Sequence, residues 1–163
     1  MSRVSSECLE SFLVENQVRS YRLAYSYLKD REEALDAVQT AVCRALEKQD
    51  SLREEAALRV WFYRILVNVC TDMLRQRKRI VLVPPEELDA GSYEDPLPRD
   101  DSLDMHVDAL ILEVRTGIKL RFYEELCLRE ISEVTGWNLN TVKTRLYTGL
   151  KKLRIALEGA ENQ

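Results

Sequence analysis

The stretch LREISEVTGWNLNTVKTRL, residues 128–146, has the pattern of two helices joined by a tight turn. Ser132 is a small residue at the point where two such helices would cross closely, and Gly136 supplies the turn. Asn138 is a suitable N-cap for the second helix, and Val142 falls where its side chain would pack into the first. The stretch therefore predicts a helix-turn-helix.

The second helix of this motif, expected over residues 139–158, divides into two faces. An apolar stripe is predicted to face the core and consists of Leu139, Val142, Leu146, Leu150, Leu153 and Leu157. The opposite face carries Asn140, Lys143, Thr144, Tyr147, Lys151 and Arg154. Short polar groups near a helix N-terminus can reach base edges while flanking cations hold phosphates, which favours a reader of duplex DNA. The alternative interpretation is an amphipathic surface helix with solvated lysines.

Three further segments with helical spacing precede residue 80, roughly 5–29, 31–48 and 55–79. Asp30, followed by Glu33 three residues on, predicts a capping box for the second segment. The apolar stripes predicted to face a core are Leu35, Val38, Val42 and Leu46 in the second segment, and Leu58, Phe62, Ile65, Val69 and Met73 in the third. A polar face of the third segment lines up Arg64, Asn68, Asp72, Arg75 and Arg79.

The net charge of −4 hides a strong asymmetry along the chain. Residues 84–108 contain nine acids and one arginine, a net of −8, so the rest of the chain carries +4. All four prolines and Gly91 also fall within this stretch. A segment of this composition cannot bury enough apolar surface to fold alone. Beyond it, helices are expected near 104–113, 115–125, 127–135 and 139–158. The sequence thus predicts an all-α protein with two small helical domains, 1–80 and 104–163, joined by an acidic flexible linker, 81–103.

Composition argues against several classes of protein. No apolar run reaches the eighteen or so residues that span a bilayer, so the chain is expected to be cytoplasmic. Widely spaced cysteines and a single histidine, His106, suggest neither a metal site nor a disulfide framework, and buried or half-buried thiols are expected at Cys8, Cys43, Cys70 and Cys127. No nucleophile–base constellation or glycine-rich phosphate loop is present, so we expect no enzyme, cofactor or small-molecule substrate.

Two sets of segments resemble the extracytoplasmic-function (ECF) sigma factors of the sigma-70 family. Residues 21–28, 33–39 and 61–68 resemble sigma region 2. Residues 120–126, Glu130 with Ile131, Gly136 and residues 141–147 resemble region 4. The resemblance implies a subunit that binds core RNA polymerase and directs initiation at specific promoters.

The resemblance also assigns roles to the polar faces. It implies docking on a coiled coil of the polymerase's largest subunit by Asp36, Gln39 and Arg44. For the melted −10 element it implies DNA contacts by Trp61, Arg64, Asn68, Arg75, Arg77, Lys78 and Arg79, with Asn68 reading an extruded base beside a specificity loop at 49–55. For the −35 duplex it implies contacts by Asn140, Thr141, Lys143, Thr144, Arg145 and Tyr147. The alternative for the charged residues is a solvated face, whereas Trp61 is expected first to pack in the core, with stacking near melted DNA as its other role.

Three positions depart from the family pattern. Thr40 stands where a glutamate is common, Ile111 where a proline is usual and Thr148 where an arginine is usual. These departures put individual contacts in doubt without breaking a helix.

Further partners follow from the resemblance alone. They are the polymerase flap and a membrane-anchored anti-sigma factor that holds the protein at the membrane until a cell-envelope stress signal releases it to the nucleoid. The linker would thread through the polymerase near the RNA path. Two other functions stay open: a stand-alone helix-turn-helix regulator that binds a palindromic duplex, and a helical adaptor without salt-sensitive DNA binding.

Overall fold

The computed structural model describes residues 4–80 and 101–161, which fall into two separate compact units. The helices of the first unit are α1 (Ser6–Glu15), α2 (Gln17–Leu28), α3 (Arg31–Glu47) and α4 (Leu58–Ile80), with short 3-10 turns at Gln49–Ser51 and Glu55–Ala57 between the last two. Those of the second are α5 (Asp101–Asp108), α6 (Leu112–Ile118), α7 (Leu128–Thr135) and α8 (Leu139–Glu161), with a π-helical turn at Lys119–Tyr123. No strand occurs in either range. The predicted all-α class with two helical domains is confirmed.

The predicted linker lies almost entirely outside the described residues. Its last three residues do not, because α5 already begins at Asp101 rather than at 104. The first of the expected C-terminal helices therefore starts earlier than predicted and ends earlier too, at Asp108. Asp108 binds Lys119, whose Nζ lies 3.2 Å from Oδ1, so one carboxylate of the acidic stretch serves the fold of the second unit.

The single helix predicted over residues 5–29 is wrong, because the chain turns at Asn16. The backbone there has φ −103° and ψ 15°, and Asn16 Nδ2 donates to the carbonyl of Phe12 at 2.9 Å. An asparagine side chain that bonds to nearby backbone competes with the helix, and this competition separates α1 from α2.

Helix α3 begins as predicted. The Asp30 carboxylate accepts a hydrogen bond from the Glu33 amide at 2.9 Å, which is the N-cap contact. The Glu33 carboxylate does not complete a box with Asp30 but pairs with Arg77 of α4. The start of α3 is thereby tied to α4.

The predicted core stripe of α3 is wrong. The residues that face the core are small and fully buried: Ala34, Ala37, Ala41 and Ala45. Leu35 and Leu46 are each 46% exposed, and Val38 and Val42 are half-buried. Alanines allow α2 and α4 to approach α3 closely, so the larger apolar side chains turn toward its outer face.

Helix α4 separates a core face from a polar face. Leu58, Phe62 and Val69 are buried as predicted, whereas Ile65 and Met73 are only half-buried. The predicted polar face is exposed at Arg64, Asn68, Asp72 and Arg75. The side chain of Arg79 lies outside the described residues.

The helix-turn-helix is confirmed in its local chemistry. Gly136 ends α7 with φ 78°, a conformation that glycine adopts without a Cβ penalty. Ser132 Oγ donates to the carbonyl of Trp137 at 2.6 Å, and Asn138 Oδ1 accepts from the Asn140 amide at 2.8 Å. Val142 is fully buried. Both ends of the turn are therefore fixed by hydrogen bonds.

The predicted apolar stripe of α8 is only partly correct. Leu146 and Leu153 are buried with Val142, but Leu139 is 39% exposed and Leu150 is 45% exposed. The closest packing occurs at Gly149, where a Cβ would lie 2.7 Å from Cγ1 of Ile118 on α6. Helix α6 thus packs against α8 at Gly149, and Leu150 turns away from this contact.

Candidate nucleic-acid interface

The exposed face of α4 holds most of the residues predicted for the −10 contact. Trp61, Arg64 and Asn68 follow one another at steps of three and four, so they share one side of the helix. Arg75 continues this side and lies 3.7 Å from Asp72, with both side chains largely exposed. Such an exposed pair is weak, so Arg75 can exchange it for another anion. Lys78 is also exposed but lies at the edge of this face.

Arg77 has a different environment from its neighbours. Its Nη2 donates to the carbonyl of Leu28 at 3.0 Å, and the same guanidinium pairs with the Glu33 carboxylate. These contacts tie α4 to the end of α2 and the start of α3. The structure does not bring Arg77 together with Arg64 and Asn68, and its predicted contact with the DNA backbone stays a prediction.

Trp61 lies between the core and the exposed face. Its ring is half-buried against the cluster formed by Val4, Leu9, Leu52 and Leu58, and its Nε1 donates to Ser51 Oγ at 3.3 Å. The 49–55 loop therefore contacts α4 beside the polar face that carries Asn68. Trp61 therefore packs against the core and also lies next to the exposed face of α4.

Helix α3 presents an outward apolar surface that sequence reasoning missed. Leu35, Gln39, Val42 and Leu46 recur at steps of four, three and four, and we call this face the α3 strip. The signal that could have revealed it is the alanine series at the same spacing on the core side. The strip is the largest difference between the predicted and observed faces of the first unit.

The three residues predicted to bind polymerase do not all lie together. Asp36 and Gln39 are exposed and about 60° apart around α3 at 100° per residue. Arg44 is half-buried and about 140° from Gln39. A partner seated on the α3 strip would touch Gln39, with Asp36 at its edge, while Arg44 points elsewhere.

The N-terminal half of α8 carries a shallow depression of about 380 Å³. Its lining residues are Lys143, Thr144, Tyr147, Thr148 and Lys151. The Tyr147 side chain is 80% exposed, and Thr144 Oγ1 donates to the Asn140 carbonyl at 3.0 Å. Asn140 is exposed just before the depression and Thr141 is half-buried. The lysines at both ends of this depression suit an anionic ligand.

Arg145 is not part of this depression. Its guanidinium lies over the Trp137 ring at 4.2 Å from the centroid, a cation–π contact between α8 and the turn. Its Nη1 is buried and has no hydrogen-bond partner among the described residues. The predicted −35 set is thus divided between an outward group and one residue held against the turn.

The four thiols have three different environments. Cys70 is buried, and burial raises the pKa of its thiol to about 12, so it stays protonated and unreactive at neutral pH. Cys8 is half-buried. The expectation of buried or half-buried thiols is wrong for Cys43 and Cys127, which are exposed.

Two further features concern only the described ranges. In residues 4–80 and 101–161 no three His, Cys, Asp or Glu side chains converge where they could hold a metal ion. None of the described helices is both long enough and apolar enough to cross a bilayer.

The second unit contains a helix-turn-helix with an outward polar face, and the first unit has a polar face of its own. This combination is typical of a DNA-binding protein. Residues 13–80 match the family Sigma-70 region 2, and residues 107–153 match Sigma-70, region 4. The chain is 40% identical over 151 residues to the RNA polymerase sigma factor SigV of Bacillus subtilis, covering 91% of this chain and 90% of SigV. The chain belongs to the ECF RNA polymerase sigma factors.

Two more similarities agree with this placement. Identity to the ECF RNA polymerase sigma factor SigW of Bacillus subtilis is 29% over 150 residues, covering 82% of this chain and 80% of SigW. The fold is similar to that of the sigma factor RpoE from Bartonella quintana, solved in complex with the anti-sigma factor NepR. The TM-score is 0.73 at 22% identity, covering 91% of this chain and 96% of RpoE. The protein is thus a transcription initiation factor that acts with RNA polymerase.

Proposed function

We propose that this sigma factor reads both promoter elements through the two exposed faces, α8 on the −35 duplex and α4 on the melted −10 strand. The observation that carries the proposal is the outward depression on α8, the second helix of a helix-turn-helix, with its lysine, threonine and tyrosine lining. In such motifs the N-terminal part of this helix enters the major groove. Thr144 and Tyr147 then meet base edges, while Lys143 and Lys151 hold phosphates.

The residues around this depression have secondary roles in the proposal. Asn140 and Thr141 lie at the start of α8, where short polar side chains come nearest to the bases. Arg145 supports the turn through Trp137. Arg154 already bonds Glu158 at 3.1 Å on the same helix, which makes it a weaker phosphate ligand than Lys151.

The face of α4 suits a single strand. An unstacked base presents its hydrogen-bonding edge to an amide such as Asn68, and Trp61 can stack on a neighbouring base. Arg64, Arg75 and Lys78 supply the positive charge that follows the backbone, with Arg79 in the sequence beyond them. Arg77 is assigned to the fold, because its two partners lie on α2 and α3.

The α3 strip is the proposed contact with the coiled coil of the polymerase's largest subunit. Exposed leucines beside a polar amide match the composition of an interface, whose centre is apolar and whose rim is polar. Gln39 lies within the strip and Asp36 at its rim. Arg44 is not included, because it lies on another side of α3.

The second unit has an apolar groove of about 480 Å³ that we assign to the polymerase flap. It is lined mainly by apolar side chains of α5, the π-helical turn and α8, among them Leu103, Val107, Phe122, Leu150 and Leu157. Leu150 and Phe122 are 45% and 50% exposed, so an apolar partner would bury both.

The location and regulation of the protein are part of the same proposal. The protein works in the cytoplasm, where the polymerase performs the nucleotide-joining chemistry and no cofactor, metal or small-molecule substrate is needed. The acidic linker, whose residues 81–100 lie outside the described ranges, threads near the RNA path and discourages binding to free DNA. RpoE was solved in complex with an anti-sigma factor, and we infer that a protein of this class covers the proposed faces of this chain until a signal arrives. We infer that it is membrane-anchored and that the signal is envelope stress.

Replacing Asn68 by alanine tests the α4 assignment. We expect discrimination between the preferred −10 base and its substitutes to fall about 10-fold, because the amide that reads the base edge is lost. The measurement is competitive binding of the reconstituted holoenzyme to fork DNAs with a single-stranded −10 region. Gln76→Ala removes an exposed amide elsewhere on α4 and serves as the control. Equal loss of core-polymerase binding and discrimination would mean misfolding or misassignment.

A further inference from the structure

We propose that helix α1 positions the specificity loop between α3 and α4, so that −10 base choice depends on contacts far from the DNA. The inference rests on the proposed function, in which this loop adjoins the base-reading face of α4. Helix α1 has no DNA-facing role in that function. Its contacts with the loop are the reason to assign it a positioning role instead.

The first contact is polar and involves Gln49, the first residue of the loop's 3-10 turn. Its Nε2 donates to Ser6 Oγ at 3.0 Å and lies 3.5 Å from the carbonyl oxygen of Val4. Ser6 Oγ lies 3.4 Å from Gln49 Oε1 as well. One amide thus joins the loop to the start of α1, 43 residues earlier in the sequence.

The second contact is apolar and lies three residues further on. Leu52 is only 3% exposed and is buried with Val4, Leu9 and Leu58. Phe12 of α1 packs against the same cluster. The loop is therefore fixed to α1 on both sides of Asp50 and Ser51, while Arg53 and Glu54 remain exposed.

The third contact joins the fixed loop to α4. Trp61 Nε1 donates to Ser51 Oγ at 3.3 Å, and Ser51 Oγ in turn lies 2.6 Å from the Lys48 carbonyl oxygen. Trp61 lies two helical turns from Asn68 on the same face. The loop is therefore tied through Trp61 to the helix face that carries the residue proposed to read the base.

A loop that is ordered before binding does not lose conformational freedom when an extruded base arrives, and it admits fewer alternative bases. Contacts that merely stabilise the first unit would act differently, because their loss would lower stability and all activities in parallel. Positioning predicts a selective loss of −10 discrimination. The two roles are therefore separable by measuring both properties.

The test uses full-length variants Gln49→Ala, Ser6→Ala and Ser6→Thr in holoenzyme with bacterial core polymerase. Fork DNAs carry either the preferred −10 base or each of the others. We expect Gln49→Ala and Ser6→Ala to lower discrimination about 3- to 5-fold, the effect of one or two lost hydrogen bonds. Core binding and the thermal midpoint should stay close to those of the original protein. Ser6→Thr keeps the hydroxyl and should keep discrimination.

Glu10→Ala is the matched control, since Glu10 is an exposed residue of the same helix. Unchanged discrimination in Gln49→Ala, or an equal loss in Glu10→Ala, would overturn the proposal. So would a Ser6→Thr variant that behaves like Ser6→Ala. If Asn68→Ala lowers discrimination and Gln49→Ala does not, only the positioning role fails. If neither does, the assignment of the α4 face fails with it.

Discussion

The variant Leu35→Arg is expected to bind core RNA polymerase about 100-fold more weakly than the original protein. Leu35 is 46% exposed on the α3 strip, so the substitution leaves the core of the first unit intact. An arginine in the apolar centre of an interface loses the leucine's contacts and places an unpaired charge where water is excluded. The measurement is the affinity of the labelled sigma factor for core polymerase in solution.

Val14→Arg is the matched control for this variant. Val14 is 70% exposed on α1, so Val14→Arg introduces the same charged side chain at an exposed apolar position away from the strip. We expect its affinity for core polymerase to stay within about twofold of the original. Similar losses in both variants would mean that the charge acts generally, and the α3 strip would then not be the docking surface.

The variant Gly149→Ala is expected to lower the free energy of unfolding of the second unit by about 2 kcal/mol. The added Cβ would lie 2.7 Å from Ile118 Cγ1 and 2.9 Å from Val114 Cγ1, closer than packed carbon atoms can approach. Neither of these two atoms is the free end of a long side chain, so α6 and α8 must separate. Hydrogen exchange of the α8 amides measures the effect in the full chain.

Gly159→Ala separates this clash from the helix propensity of alanine. Gly159 lies on the same helix with nothing within 4 Å of its would-be Cβ. This variant gains the propensity alone and should be up to about 1 kcal/mol more stable. If both substitutions changed stability by the same amount, close packing at Gly149 would be ruled out as the reason why Leu150 is exposed.

The helix-turn-helix could be predicted residue by residue because its signals are local. Gly136, Asn138 and Ser132 act on backbone within five residues of themselves. The N-cap at Asp30 was predictable for the same reason. The polar face of α4 was predictable from periodicity, since charged side chains seldom fall on a buried helix face.

The errors share a different cause, which is competition between two apolar stripes on one helix. In α3 the alanines and the larger residues such as Leu35 both recur at helical spacing, and hydrophobicity favours the leucines. Which of the two stripes of α3 faces the core depends on how closely α2 and α4 approach, and that distance depends on the side chains of all three helices. In α8 the same choice is made at Gly149 by Ile118 of another helix.

Several contacts of the candidate residues could not be predicted, because they are made with residues elsewhere in the fold. Nothing in the sequence near Arg77 indicates that Glu33 and the Leu28 carbonyl hold it. The sequence position of Arg145 predicts a recognition residue, but it does not indicate that the guanidinium lies over the Trp137 ring. Gln49 begins the 49–55 loop, but nothing in the sequence indicates its hydrogen bond to Ser6 of α1.

The most direct test of the central claim is a run-off transcription assay with the full chain, bacterial core polymerase and genomic promoter fragments at several salt concentrations. We expect transcripts with defined starts that appear only when the chain is present and that weaken as salt rises, because phosphate contacts release counterions. Defined starts that need no added chain, or no defined start on any fragment, would contradict it.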